Sequence, residues 1–125
     1  MKEQIFPKDG PAPVGPYSPA IRANGFIFVS GQGPVVLETG QPLRGPIEDQ
    51  VHRTMQNLRL ILEAAGSSLE KVVKTTIYLR DLNNFQKMNE VYGSYFEGVP
   101  PARTTIQAAD LPMKIDVEIE AIALE

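Results

Sequence analysis

Cysteine is missing from these 125 residues, and histidine occurs once. Without cysteine there can be no disulfide, no thiolate nucleophile and no cysteine metal site. With His52 as the lone histidine, the familiar zinc sites and the Ser-His and Cys-His catalytic pairs lack members. No apolar run approaches the roughly 20 residues needed to cross a bilayer. The opening MKEQIFPKDG has neither the apolar segment nor the small-residue cleavage site of an export signal. The expectation is a soluble, cytoplasmic protein that needs no metal or organic cofactor. Basic residues are scattered singly and the net charge is −3, so nucleic acid and anionic lipid find no electrostatic footprint. A small molecule is the expected partner.

What is present reads as one ordinary domain over residues 1–125, with 42% hydrophobic and 22% charged residues. Such a length can bury roughly two-thirds of the surface its unfolded chain exposes. Residues 7–19, PKDGPAPVGPYSP, carry no period and read as an extended loop, in which the PxxP spacing is a chance feature. AIRANGFIFVSG predicts two short strands around an Asn24-Gly25 turn. ETGQPLRGP is a turn-rich connection, after which Pro46 stands as the first residue of a helix. Val51, Met55, Leu58, Leu62 and Ala65 recur at helical spacing, and Gly66 is placed to cap the end.

VVKTTIYL, Val72 to Leu79, is β-branched and predicts a strand; a second helix follows with Phe85, Met88, Tyr92 and Tyr95 on one face. RTTIQA and IDVEIEAIAL complete five or six strands. In the last, Ile115, Val117, Ile119 and Ala121 alternate against Asp116, Glu118 and Glu120. The expected fold is α+β, with a single mixed sheet and both helices on one face. The other face would then carry Tyr78 and Ile122 uncovered. A homo-oligomer packing these faces together would set Arg103 and Glu118 near subunit boundaries.

Chemistry has few candidates. His52 lies mid-helix one turn after Glu48 and reads as a solvated surface residue. Gly31-Gln32-Gly33 is followed by Pro34 rather than a helix, which excludes a dinucleotide loop. That leaves Arg103, set between a double proline and a strand, and the acidic row Asp116, Glu118 and Glu120. If the two C-terminal strands are neighbours, arginine and carboxylate face the same space. They then form either an exposed ion pair worth about 0 to 1 kcal/mol, or a site in which Arg103 grips a ligand carboxylate by charge-assisted hydrogen bonds worth roughly 1.5 to 3 kcal/mol each. Composition does not choose between these readings.

GPYSPA at 15–20, VSGQGPV at 29–35, LEAAGSSLEKVVKTTIYLRDLNNF at 62–85, PPAR at 100–103 and VEIEAIA at 117–123 together resemble the reactive-intermediate deaminase family, also called Rid or YjgF. The resemblance spans nearly the whole chain. It implies a trimer like bacterial chorismate mutase, with ligand clefts between neighbours. It also implies cofactor-free hydrolysis of 2-imino acids, such as 2-iminopropanoate and 2-iminobutanoate, to 2-oxo acids and ammonia. Arg103 matches the family's carboxylate-binding arginine, Glu118 its water-directing glutamate and Tyr17 the tyrosine that closes the cleft. Ser30, Gly31, Asn89 and Thr105 match ligand-lining positions. Thr105 stands where many members have cysteine, Thr104 replaces a small residue, and Pro19 replaces a common glutamine.

Under that resemblance, Arg103 positions the substrate carboxylate and helps keep Glu118 ionised as the general base. Two alternatives stand beside it. In a non-catalytic binding module for small 2-oxo acids, Arg103 alone would suffice. An RNA-cleaving translation inhibitor, an activity also attributed to the family, is opposed by the acidic balance.

Overall fold

The helical pattern that starts at Ile47 forms helix α1, Ile47–Ala64, in the computed structural model, which describes residues 1–10 and 12–125. Pro46 is the residue before the helix rather than its first, because its ψ of 148° is extended. Glu48 and Asp49 sit in the first turn, where the helix dipole favours negative charge. Val51, Met55, Leu58 and Leu62 are fully buried. The helix ends at Gly66, where Ser67 N–H donates to the Leu62 carbonyl at 2.8 Å and Gly66 N–H to that of Glu63 at 3.0 Å.

Among the described residues eight strands accompany α1 and α2 (Phe85–Gly93): β1 (Glu3–Ile5), β2 (Ala20–Ala23), β3 (Phe26–Gln32), β4 (Val35–Val36), β5 (Gln41–Pro42), β6 (Val72–Leu79), β7 (Ala102–Gln107) and β8 (Val117–Leu124). Six form one mixed sheet in the order β1-β2-β3-β8-β6-β7; β4 and β5 make a separate ribbon. The β2–β3 hairpin turns at Asn24 and Gly25, both with positive φ, as expected. Strand β1 and the ribbon carry no sequence signal strong enough to anticipate them. Strands β6 and β7 pair in parallel, joined by a crossover through α2.

Both helices cover one face of the sheet. Ile27 and Val29 of β3, Thr75, Ile77 and Leu79 of β6, and Val117, Ile119, Ala121 and Ala123 of β8 point toward them and are buried. Burial of each such aliphatic side chain contributes roughly 1.5–3 kcal/mol. Helix α2 is shorter than its apolar spacing predicted: it stops at Gly93, so Tyr95 lies beyond it, and of the expected face only Met88 and Tyr92 are buried. Phe85 stays exposed and instead stacks against Arg103.

The opposite face is open. Phe26, Phe28, Ile106 and Leu124 are all exposed on it, and Tyr78 and Ile122 share it, as the alternation predicted. Residues 12–19 run as a loop along its β3 end; Pro11, where the PAPVGP segment begins, lies outside the described residues. No helix among the described residues is long and apolar enough to cross a membrane.

Candidate active site

The sheet order separates Arg103 from Glu118. Strand β6 lies between β7 and β8, so the condition under which Arg103 and Glu118 would share one space within a chain, that the two C-terminal strands are neighbours, is not met. Register then fixes the faces. Arg103 pairs with Thr75 and Thr105 with Ile77, which places both on the helix-covered side. Glu118 pairs with Tyr78 and Glu120 with Thr76, which places both on the open side. Within one chain the guanidinium and the carboxylate face away from each other across the sheet.

On the open side, a hollow of about 440 Å³ is lined by Tyr17, Ser30, Gly31, Glu118 and Glu120 among others. Its floor is an irregularity in β3: the β3–β8 register shifts between Val29 and Gln32, leaving Ser30 and Gly31 at the shift. Ser30 holds the Pro-rich loop there, its hydroxyl donating to the Ser18 carbonyl at 2.6 Å and its N–H to that of Pro19 at 3.0 Å. Tyr17, on that loop, is 45% exposed at the rim. Gly31 lies close against Glu118: a Cβ there would stand 2.6 Å from Glu118 Oε2, so any larger residue would displace that side chain.

Burial, and next the charge of Glu120, push the Glu118 carboxyl above its ordinary range. Among the described residues no cation of the same chain offsets this, so the help expected from Arg103 would have to come from a neighbouring copy. Glu120 accepts a hydrogen bond from the Tyr78 hydroxyl at 2.5 Å. Asp116 leaves the predicted acidic row. It precedes β8 and accepts from Gln50 Nε2 of α1 at 2.7 Å.

On the helix side, Phe85, Asn89 and Tyr92 recur at helical spacing along α2 and meet β7. The Arg103 guanidinium lies 5.1 Å from the Tyr92 ring centre and 5.5 Å from that of Phe85. It forms no salt bridge among the described residues. Asn89 Oδ1 and Thr105 Oγ1 are buried there without a hydrogen-bond partner. Asn57 Oδ1 is a third such atom; buried polar atoms are normally satisfied, and Thr105, two residues along β7 from Arg103, and Asn89, on the α2 face of Phe85 and Tyr92, each have an acceptor free for a ligand.

The seven residues singled out in the sequence thus fall into two groups: Tyr17, Ser30, Gly31 and Glu118 on the open side, Asn89, Arg103 and Thr105 on the helix side. Sequence reasoning missed the Phe85–Tyr92 platform beneath Arg103, although its spacing was visible, and it missed the hollow's far wall at Pro112 and Met113, which carried no signal. His52 belongs to neither group; its Nδ1 lies 2.9 Å from the Tyr95 hydroxyl rather than pairing with Glu48. No cluster of three or more His, Asp or Glu that could hold a metal occurs among the described residues.

The sequence matches the family described as Endoribonuclease L-PSP over residues 7–125. A RutC family protein of Pyrococcus horikoshii is 50% identical over 123 residues, 98% of this chain and 98% of its own. The chain belongs to this family, the Rid/YjgF family of the sequence resemblance. Another relative, the chloroplastic Reactive Intermediate Deaminase A of Arabidopsis thaliana, is 44% identical over 122 residues, covering 98% of this chain and 65% of its own. The crystal structure of E. coli TdcF with bound serine matches with a TM-score of 0.93 at 34% identity, covering 98% of each chain.

Proposed function

We propose that the protein is a cytoplasmic, cofactor-free hydrolase of small 2-imino acids, acting as a homotrimer whose clefts each take one group of residues from either neighbour. The observation that carries this reading is the complementarity of the two groups. One offers an unpaired guanidinium and two orphaned polar atoms; the other offers a desolvated carboxylate beside a hollow. A rotational assembly repeats one contact between unlike surfaces, so it can bring the helix side of β7 in one copy to the open side of β3 and β8 in the next. It would also cover Phe28 and Ile122. The bound serine of E. coli TdcF, an amino acid with the same carboxylate, supports a carboxylate ligand.

In this cleft the Arg103 fork grips the substrate carboxylate and sets C2 over Glu118. Glu118 takes a proton from water as the water oxygen bonds to C2 and returns it to nitrogen, which has received the C=N π pair, giving the carbinolamine. Glu118 then takes the hydroxyl proton and passes it to the amino nitrogen, so that the C–N bond breaks as the C=O bond forms, releasing ammonia and leaving the 2-oxo acid. Burial suits Glu118 to this, because a base with a raised pKa can return the proton it takes. Tyr17 and Ser30 shape the rim, while Asn89 and Thr105 supply hydrogen bonds beside the carboxylate.

The test generates 2-aminoacrylate in situ with a dehydratase and offers semicarbazide as a competing trap. The protein should divert the flux to pyruvate, with or without exhaustive chelation, and sedimentation equilibrium should give a trimer. Binding of 2-oxobutanoate without diversion would instead favour a binding module. The family description names an endoribonuclease; cleavage of single-stranded RNA, lost with Arg103→Ala, would favour that activity.

A further inference from the structure

The hollow is lined by two unlike sets of residues: Ser30, Glu118 and Glu120 are polar, whereas Val14, Val35, Pro112, Met113 and Ile115 are apolar. Hydrolysis of a C=N bond asks nothing of an apolar wall, so the apolar lining suits the part of a ligand that does not react.

Met113 is the most unusual member of this wall. It has φ +61° and is followed by Lys114 at +56°, two non-glycine residues in the left-handed region. Such a turn persists only where its surroundings hold it. Arg44 supplies a two-pronged hold: Nη2 donates to the Met113 carbonyl at 2.9 Å and Nη1 to that of Lys114 at 2.7 Å. Arg80 Nη1 adds a third bond to the Lys114 carbonyl at 3.1 Å and lies 3.6 Å from Asp116 Oδ1, while Arg80 Nε lies 3.6 Å from Asp110 Oδ1. Behind them Gln50, 2% exposed, donates to Asp116 Oδ2 at 2.7 Å and accepts from Asp116 N–H at 3.0 Å. The turn is fixed from the rear, while the Met113 side chain, 40% exposed, stands at the hollow.

We propose that Met113 is the specificity wall of this site, limiting it to 2-imino acids with short or unbranched apolar side chains, and that Arg44 is the positioning residue that enforces the limit. The inference rests on the hydrolase reading and deepens it. A thioether chain bends aside for a linear substituent at little cost. An aromatic or branched substituent needs the backbone turn to retreat, and the Arg44 fork opposes that.

The experiment produces imino acids from alanine, norleucine, leucine and phenylalanine with an amino-acid oxidase and measures kcat/KM by semicarbazide competition. Calorimetric titration with the matching 2-oxo acids runs alongside. Met113→Ala should raise the phenylalanine-to-alanine ratio of kcat/KM about tenfold or more, through KM. Met113→Gly, which suits the positive φ, should do the same without lowering Tm, separating selectivity from folding. Arg44→Ala should shift the ratio in the same direction by about threefold, again in KM with kcat on the alanine-derived imine kept, and Arg44→Lys should restore part of the limit. An unchanged ratio in both Met113 variants, with the alanine-derived imine still hydrolysed, overturns the wall and leaves the hydrolase reading standing. If the unaltered protein hydrolyses no imine, that reading falls, and the 2-oxo acid titrations still decide the wall: equal discrimination before and after substitution overturns it.

Discussion

The two faces of the sheet at β7 and β8 make opposite contributions. On the helix side, Arg103 rests on aromatic rings with its charge unpaired and two buried polar atoms orphaned beside it. On the open side, Glu118 is partly desolvated beside another carboxylate, with space above it. Each group lacks what the other has, and one chain cannot bring them together. The proposed trimer would complete the site by setting one half from each of two copies against the other.

Substitutions should therefore sort by half. The largest effect is expected from Glu118→Gln, which keeps size and removes the base. It should lower kcat about 10²–10⁴-fold while calorimetry still detects 2-oxobutanoate. Arg103→Lys keeps the charge and loses the fork, and should raise KM about 10–100-fold with the trimer intact. Full activity in that variant would return Arg103 to a surface charge.

Gly31→Ala comes next. Its Cβ would meet only the Glu118 side chain, from the carboxylate back to Cγ at 3.1 Å, so the fold should accept it, but that side chain must swing away. Activity should fall about tenfold with little change in Tm.

The smallest effect is on stability. Folded, Glu118 titrates above its unfolded value, so its contribution is present below that unfolded value and is lost as pH rises through the folded one. Glu118→Gln should therefore raise Tm relative to the parent at pH 7, and the difference should close near pH 4, as calorimetric melting at both pH values would show.

Much of the fold was legible in the sequence. The α1 stripe, the β6 strand and the β8 alternation each follow from spacing within one element, and each is buried as that spacing predicts. The β4–β5 ribbon was not legible, because two-residue strands carry too little pattern. Nor was the placing of β6 between β7 and β8, since a parallel pair joined through a helix depends on contacts remote in sequence. The faces of the site residues stayed open for the same reason: Arg103 and Glu118 were each identifiable by type and resemblance, but their faces depend on register with β6, which no local signal encodes. Asp116 strayed from its row for a similar reason, drawn to Gln50 of a distant helix.

Subunit mixing tests most directly whether the two halves belong to different copies. Arg103→Ala and Glu118→Gln proteins, each inactive alone, are unfolded together at equal amounts, refolded and assayed for imine hydrolysis. If every cleft takes Arg103 from one copy and Glu118 from the next, random assembly regenerates about a quarter of the wild-type activity. If mixed trimers form, as mass-tagged subunits would show, and activity stays at the level of the single variants, the shared-site account is contradicted.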